Sequence, residues 1–292
     1  MAAVTAGHID EVISLPLPGV SDGFGLLSRP LGNCASLGVL VLVGGPQYRV
    51  GSHRHFVQLA RSMADAGYPC LRFDHRGIGD TPGEIPDFEA LDDDVHAAID
   101  ALLAAVPTLK GVLLWGLCDG ASAALLYVSR MRDPRVRALT LLNPWVRSAQ
   151  GEAQTRVRHY YLERLKNPAF WKKLLSGKVA ASALSGFIAQ WQKSRGDRAA
   201  ESGPPRTFQR LMAQGWQSFS GPLLLQLSGR DHTAREFESV AERFPDWQDW
   251  QRRAALTRLD YPDADHTFSQ PALQQRSIND LLDWLLTLPA RD

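Results

Sequence analysis

The chain has 292 residues, 45% hydrophobic and 22% charged, which is ordinary globular composition with ample length for a large buried core. Its formal net charge of +1 excludes the basic excess of a nucleic-acid-binding protein, and no apolar run reaches the roughly 18 residues that a membrane span needs. Three cysteines (Cys34, Cys70 and Cys118) cannot all pair and show no zinc spacing, and the first residues have neither a basic start nor an apolar segment, so a reducing, cytoplasmic setting is expected.

Residues 9–16 and 23–29 alternate loosely between apolar and polar and predict two antiparallel strands. The continuous run Gly38–Val43 suits a strand buried on both faces, ending at Gly44-Gly45-Pro46. Phe56, Leu59, Ala60 and Met63 recur at helical spacing and predict a helix over 53–66, stopped by Gly67. Cys70–Phe73 is a short strand. The glycine-rich Asp74–Asp80 that follows lacks the ending and spacing of a phosphate loop and is read as a packing turn. An apolar stripe from Leu91 to Leu103 predicts a helix over 88–106, closed by Pro107.

A strand over 111–116 then runs into Gly116-Leu117-Cys118-Asp119-Gly120, and small residues from Ala121 continue as a helix. Residues 136–142 form another strand, ending at Asn143-Pro144-Trp145. The alternation breaks over 146–215, which hold 13 Lys/Arg against 4 Asp/Glu, a net +9 against −8 for the remainder. It resumes with a strand over 222–228 ending at Gly229-Arg230-Asp231, and a helix over 233–244. A strand over 255–261 follows, ending at Pro262-Asp263-Ala264-Asp265-His266, and then an amphipathic helix over 272–287. Repeated strand–helix units imply right-handed crossovers and a mostly parallel, twisted α/β sheet flanked by helices. The expected organisation is a core of residues 1–145 and 216–292 with a helical lid inserted at 146–215.

The strand–turn–helix around Cys118 is the G-x-S-x-G nucleophile elbow of α/β-hydrolases with cysteine at its centre. Glycines on both sides remove the Cβ atoms that would collide with the adjoining strand and helix, and the helix N-terminus favours the thiolate. Asp231 and His266 each follow a strand, in the order nucleophile, acid, histidine. Asp263 and Asp265 are the rival carboxylates, but residues adjacent in sequence rarely face each other's ring. Asn143 cannot supply a carboxylate. The oxyanion donors are expected to be the N–H of Asp119 and one from the loop Val43–Gln47. Pro46 has no N–H, which leaves Gly45 first and Gln47 second. Gln47, Arg49 and Trp145 are candidate substrate-binding residues. The Asp119 carboxylate is expected to point away from the thiol or to pair with Arg49 or Arg76. His53 and His55 form an H-x-H pair without a third ligand and are read as surface residues, so neither a metal nor another cofactor is expected. Trp145, Trp171, Trp191 and Trp216 are open to two readings, an acyl pocket or helix packing.

Over nearly its whole length the chain resembles the α/β-hydrolase superfamily. More narrowly, Leu114–Asp119, Leu142–Arg147 and His159–Leu165 resemble the hydrolases associated with the exosortase A protein-sorting and exopolysaccharide system. The cysteine is similar to that of dienelactone hydrolases, from which the long insertion departs. The resemblance implies an esterase or thioesterase working through Cys118, His266 and Asp231. An acyltransferase with the same triad and a non-catalytic binding protein are the alternatives. The substrate is expected to be a small or carrier-bound acyl compound, and the basic insertion to meet an anionic substrate or a membrane surface.

Overall fold

Successive side chains of a strand point to opposite faces, and this sheet buries both. The computed structural model describes residues 7–20, 22–44, 47–146 and 207–288. Its strands are β1 (His8–Ser14), β2 (Phe24–Pro30), β3 (Leu37–Leu42), β4 (Cys70–Phe73), β5 (Gly111–Leu117), β6 (Val136–Leu142), β7 (Leu223–Ser228) and β8 (Leu256–Tyr261). In β3, Leu40 and Leu42 enter one apolar cluster and Val39 and Val41 the other; in β5, Val112 and Leu114 oppose Leu113 and Trp115 in the same way. The strands form one sheet in the order β1-β2-β4-β3-β5-β6-β7-β8. β1 and β4 run antiparallel to β2, and the remaining neighbours are parallel.

The described helices are α1 (His55–Asp65), α2 (Asp92–Ala105), α3 (Asp119–Met131), α4 (Thr207–Ser218), α5 (His232–Arg243) and α6 (Pro271–Thr287). α1 and α6 cover one face through residues such as Phe56, Met63, Leu281 and Trp284. α2, α3, α4 and α5 cover the other through residues such as Ile99, Leu125, Met212 and Phe237.

Two helix starts differ from the sequence reading. A short 3-10 turn, Ser52–Arg54, with His53 and Arg54 at φ 53 and 59, delays α1 to His55. A second, Phe88–Ala90, is capped by the Asp87 carboxylate, and α2 starts at Asp92, where three aspartates meet the positive helix end. The domain boundary also moves. In α4, Phe208, Met212, Ala213 and Trp216 lie on one buried stripe, so Val146 and residues 207–215 belong to the core rather than to the insertion. Residues 147–206 form a separate unit outside the described residues, as do Trp171 and Trp191 within it.

β4 lies on one side of β3 and β5 on the other, so the chain leaves these strands in opposite directions. Open parallel sheets form their crevice at such a point, beyond the strand C-termini.

Candidate active site

β5 ends in that crevice, and Cys118 turns the chain from β5 into α3 at φ 61 and ψ −124. Only a turn this sharp lets α3 pack back along the strand, and it requires bare backbone around it. A Cβ on Gly116 would sit 2.5 Å from the Ala121 nitrogen, and one on Gly120 would overlap the Leu42 carbonyl at the end of β3. The turn is fixed on its other side by β6. Cys118 N–H donates to Leu142 O (2.9 Å), and Trp145 N–H donates to Cys118 O (3.2 Å) and to Ser122 Oγ (3.0 Å). Ser122 Oγ–H donates in return to Trp145 O (2.5 Å). Cys118 is half-buried, whereas Cys70 is fully buried and its thiol is pushed up to about 12 by that burial. Cys34 is exposed and remote in sequence from any turn of this kind.

Asp231 ends the segment after β7 and caps α5, accepting N–H bonds from Thr233 (3.1 Å) and Ala234 (3.2 Å). The same carboxylate lies 2.8 Å from Nδ1 of His266, so the structure brings together the acid and the histidine chosen from chain order. Asp231 is 6% exposed and the His266 side chain 31% exposed. The rival carboxylates are engaged elsewhere: Asp263 pairs with Arg230 (2.5 Å), and Asp265 accepts from the backbone of Thr267 and Ser269.

Asn143 went unassigned in the sequence beyond its lack of a carboxylate. It is fully buried at φ 43 in the turn after β6. Its Nδ2 donates to Ser228 Oγ (2.9 Å) and to the His266 carbonyl (3.2 Å), and its Oδ1 accepts from Ser228 N–H (2.8 Å). The one sequence signal was an asparagine, a residue tolerant of left-handed backbone, directly after a strand.

Of the remaining predicted residues, Gly45 lies outside the described residues, as does Pro46. Gln47 uses its Oε1 within its own loop, accepting from Ser52 N–H (3.0 Å). Arg49 is not presented as a free cation for substrate: its guanidinium pairs with Asp74 and with Asp80 (2.5 Å) and lies over the Phe24 ring. Arg76, the other cation named for Asp119, pairs with the buried Asp94 (2.7 Å). The Asp119 carboxylate instead lies against Gly44, where any Cβ would overlap it. The Asp74–Asp80 turn is thus held by Arg49 and Arg76, and a Cβ on Gly79 would run into the Asp74 carboxylate.

Trp145 stacks on Phe208 (6.1 Å, 11°) and meets Phe88 edge-on (5.3 Å, 87°), forming an aromatic wall whose backbone is bonded to Cys118. Trp216 is core, packed among Phe237, Trp247 and Trp250. His55, read as a surface residue, is buried beneath Trp115 and Phe268. Among the described residues no group of three His, Cys, Asp or Glu is arranged to hold a metal ion, and no helix is long and apolar enough to cross a membrane.

The fold is shared with several solved structures. An esterase from Pyrococcus furiosus matches at 17% identity and TM-score 0.63, over 97% of this chain and 91% of that one. The dienelactone hydrolase of Anabaena variabilis matches at 16% identity and TM-score 0.59, over 96% of this chain and 98% of that one. A thermophilic esterase from Thermogutta terrifontis matches at 19% identity and TM-score 0.53, over 95% of this chain and 98% of that one. No curated protein matches the chain by sequence. The family model described as serine aminopeptidase, S33, matches residues 38–236, from β3 through the elbow and into α5. By that match over more than half its length, and by its eight-stranded sheet, the chain belongs to this family of α/β hydrolases.

Proposed function

We infer that this α/β hydrolase is a cysteine-dependent acyl hydrolase that cleaves ester or thioester bonds through a covalent acyl-enzyme. The observation that carries the reading is a cysteine held left-handed on the elbow at the sheet edge that also carries the His266–Asp231 pair. Cys118 passes its proton to His266 and attacks the acyl carbonyl as the thiolate. Asp231, bonded to Nδ1, fixes the ring tautomer and stabilises the imidazolium. The oxyanion is met by the Asp119 N–H at the start of α3, with Gly45 as the second donor. The C–O or C–S bond breaks, and the leaving alcohol or thiol takes the proton from His266. Water then loses a proton to His266, adds to the acyl-enzyme, and releases the carboxylic acid and the Cys118 thiol.

The acyl-enzyme is itself a thioester, so its formation from a thioester is near balance. An amide is a poorer substrate, because its leaving group lets the intermediate collapse by expelling the thiolate. This favours esters and thioesters over the peptide bond named in the family description, and it agrees with the esterases among the structural neighbours. The half-buried Trp145 and Phe88, backed by the buried Phe208, offer apolar surface to an acyl group. The resemblance to exosortase-associated hydrolases supports a natural substrate from exopolysaccharide metabolism, and the basic insertion suits a carrier-bound, anionic acyl donor.

Intact-mass measurement after incubation with mixed acyl-thioesters and p-nitrophenyl esters tests this reading. An acyl adduct on Cys118, absent from Cys118→Ala together with turnover, is the expected result. Turnover that survives in Cys118→Ala, or a preference for peptide amides, overturns it.

A further inference from the structure

Three segments would have to be held in register for the chemistry above: the elbow, the loop after β7 and the loop after β8. Asn143 is bonded toward each of them. The preceding residue, Leu142, accepts the Cys118 N–H, and Asn143 N–H donates to Gln226 O on β7 (3.1 Å). Its side chain reaches Ser228, at the end of β7, and the main-chain carbonyl of His266 itself.

The chemistry of the head group matters here. Two Nδ2 hydrogens serve two acceptors, and Oδ1 serves one donor, so the buried amide is fully satisfied. A carboxylate of the same shape has no donor for the His266 carbonyl, and glutamine is a methylene too long for a site with no exposed surface. The residue also keeps a left-handed backbone, a conformation asparagine adopts more readily than most residues. Its bond to His266 leaves the imidazole untouched and instead anchors the backbone from which the ring projects. Asp231 holds the Nδ1 edge of that ring through its hydrogen bond, while Asn143 holds the backbone that carries the ring.

We propose that Asn143 is the positioning residue that holds His266 at the height where its ring, already oriented by Asp231, meets the Cys118 thiol. The proposal rests on the Cys118–His266–Asp231 reading. Asn143 touches no reacting atom, and its effect passes through His266.

The test uses the full-length chain and three readouts: kcat and KM for a p-nitrophenyl ester, the pH dependence of Cys118 alkylation by iodoacetamide, and thermal unfolding. Asn143→Ala is expected to lower kcat about 10- to 100-fold with KM changed less than about twofold, as a misplacement on the scale of an ångström does. Its alkylation profile is expected to move toward that of His266→Ala. Asn143→Asp, which keeps the shape but loses both donors, is expected to lose kcat likewise and serves where the alanine variant is unstable. Ser228→Ala removes one acceptor but spares the His266 bond, so it is expected to lose less than Asn143→Ala. A folded Asn143→Ala or Asn143→Asp with wild-type kcat and alkylation profile overturns the positioning role, even if its melting temperature falls. Cys118→Ala and His266→Ala run alongside. Should either retain full activity, the triad reading fails and takes the proposal with it; if both are inactive, a failure belongs to Asn143 alone.

Discussion

Cys118 shows a single residue carrying a conformational cost for the sake of its side chain. At φ 61 and ψ −124 it occupies backbone space that suits glycine, and such positions cost on the order of 1–3 kcal/mol. The surrounding contacts over-determine the turn: the Leu142 carbonyl, the Trp145 N–H and the packing of Gly116 and Gly120 all fix it. Replacing the cysteine by glycine removes the Cβ strain and the reactive sulfur together. Cys118→Gly is therefore expected to be more stable by on the order of 1 kcal/mol in urea unfolding, and to form no acyl-enzyme. A glycine variant destabilised by more than the roughly 1 kcal/mol that glycine's extra unfolded-state entropy costs would mean that the elbow is relaxed.

At the scale of elements, α1 is docked by a histidine, His55, that its H-x-H context alone would put on the surface. The left-handed His53 and Arg54 turn the chain so that His55, the first residue of α1, points inward beneath Trp115 (5.6 Å, 81°) and Phe268 (5.9 Å, 47°). Neither ring nitrogen has a hydrogen-bond partner among the described residues. Burial, with a smaller contribution from the charge of His53, pulls its pKa down from 6.5 to about 4. The folded state keeps this ring neutral, while the unfolded chain takes up a proton below its ordinary value. Stability is therefore full above pH 6.5 and is lost as the pH falls toward 4, by about 3 kcal/mol in all. His55→Leu is expected to flatten the stability curve across that window, measured by urea unfolding at a series of pH values. An unchanged slope in the variant would assign the acid sensitivity to other groups.

The same contrast explains what was legible in the sequence. Strands such as β3 and β5 announce themselves through continuous apolar runs, and Asp231 and His266 through their places after strands, because both signals are local. The inward turn of His55 depends on two backbone angles, and the role of Asn143 on partners 85 and 123 residues away, which no window of sequence contains. The end of the insertion is hidden in the sequence for a related reason. The stripe of Phe208, Met212 and Trp216 looks like any amphipathic helix until the core it packs against is known.

At the scale of the whole molecule, charge is divided in a way that the fold does not require. Residues 147–206 carry 12 Lys/Arg against 4 Asp/Glu, a net +8, and the remainder −7. That stretch leaves the core at Val146, one residue beyond the tryptophan bonded to Cys118 O, and the chain returns at Thr207, where Gln209 donates to the Val146 carbonyl. Concentrated positive charge raises the encounter rate of an anionic substrate, and salt weakens the effect because the Debye length is only about 10 Å at 0.1 M. For an acyl thioester on a phosphate-bearing carrier, kcat/KM is expected to fall about tenfold between roughly 10 mM and 500 mM sodium chloride, with kcat nearly constant. A neutral p-nitrophenyl ester of the same acyl chain is expected to show almost no salt dependence, because it shares the chemical step but not the steering. Equal salt responses for the two substrates would mean that the basic stretch serves some purpose other than recruiting the acyl donor. A response confined to the anionic one would tie the sign of the insertion to the choice of substrate.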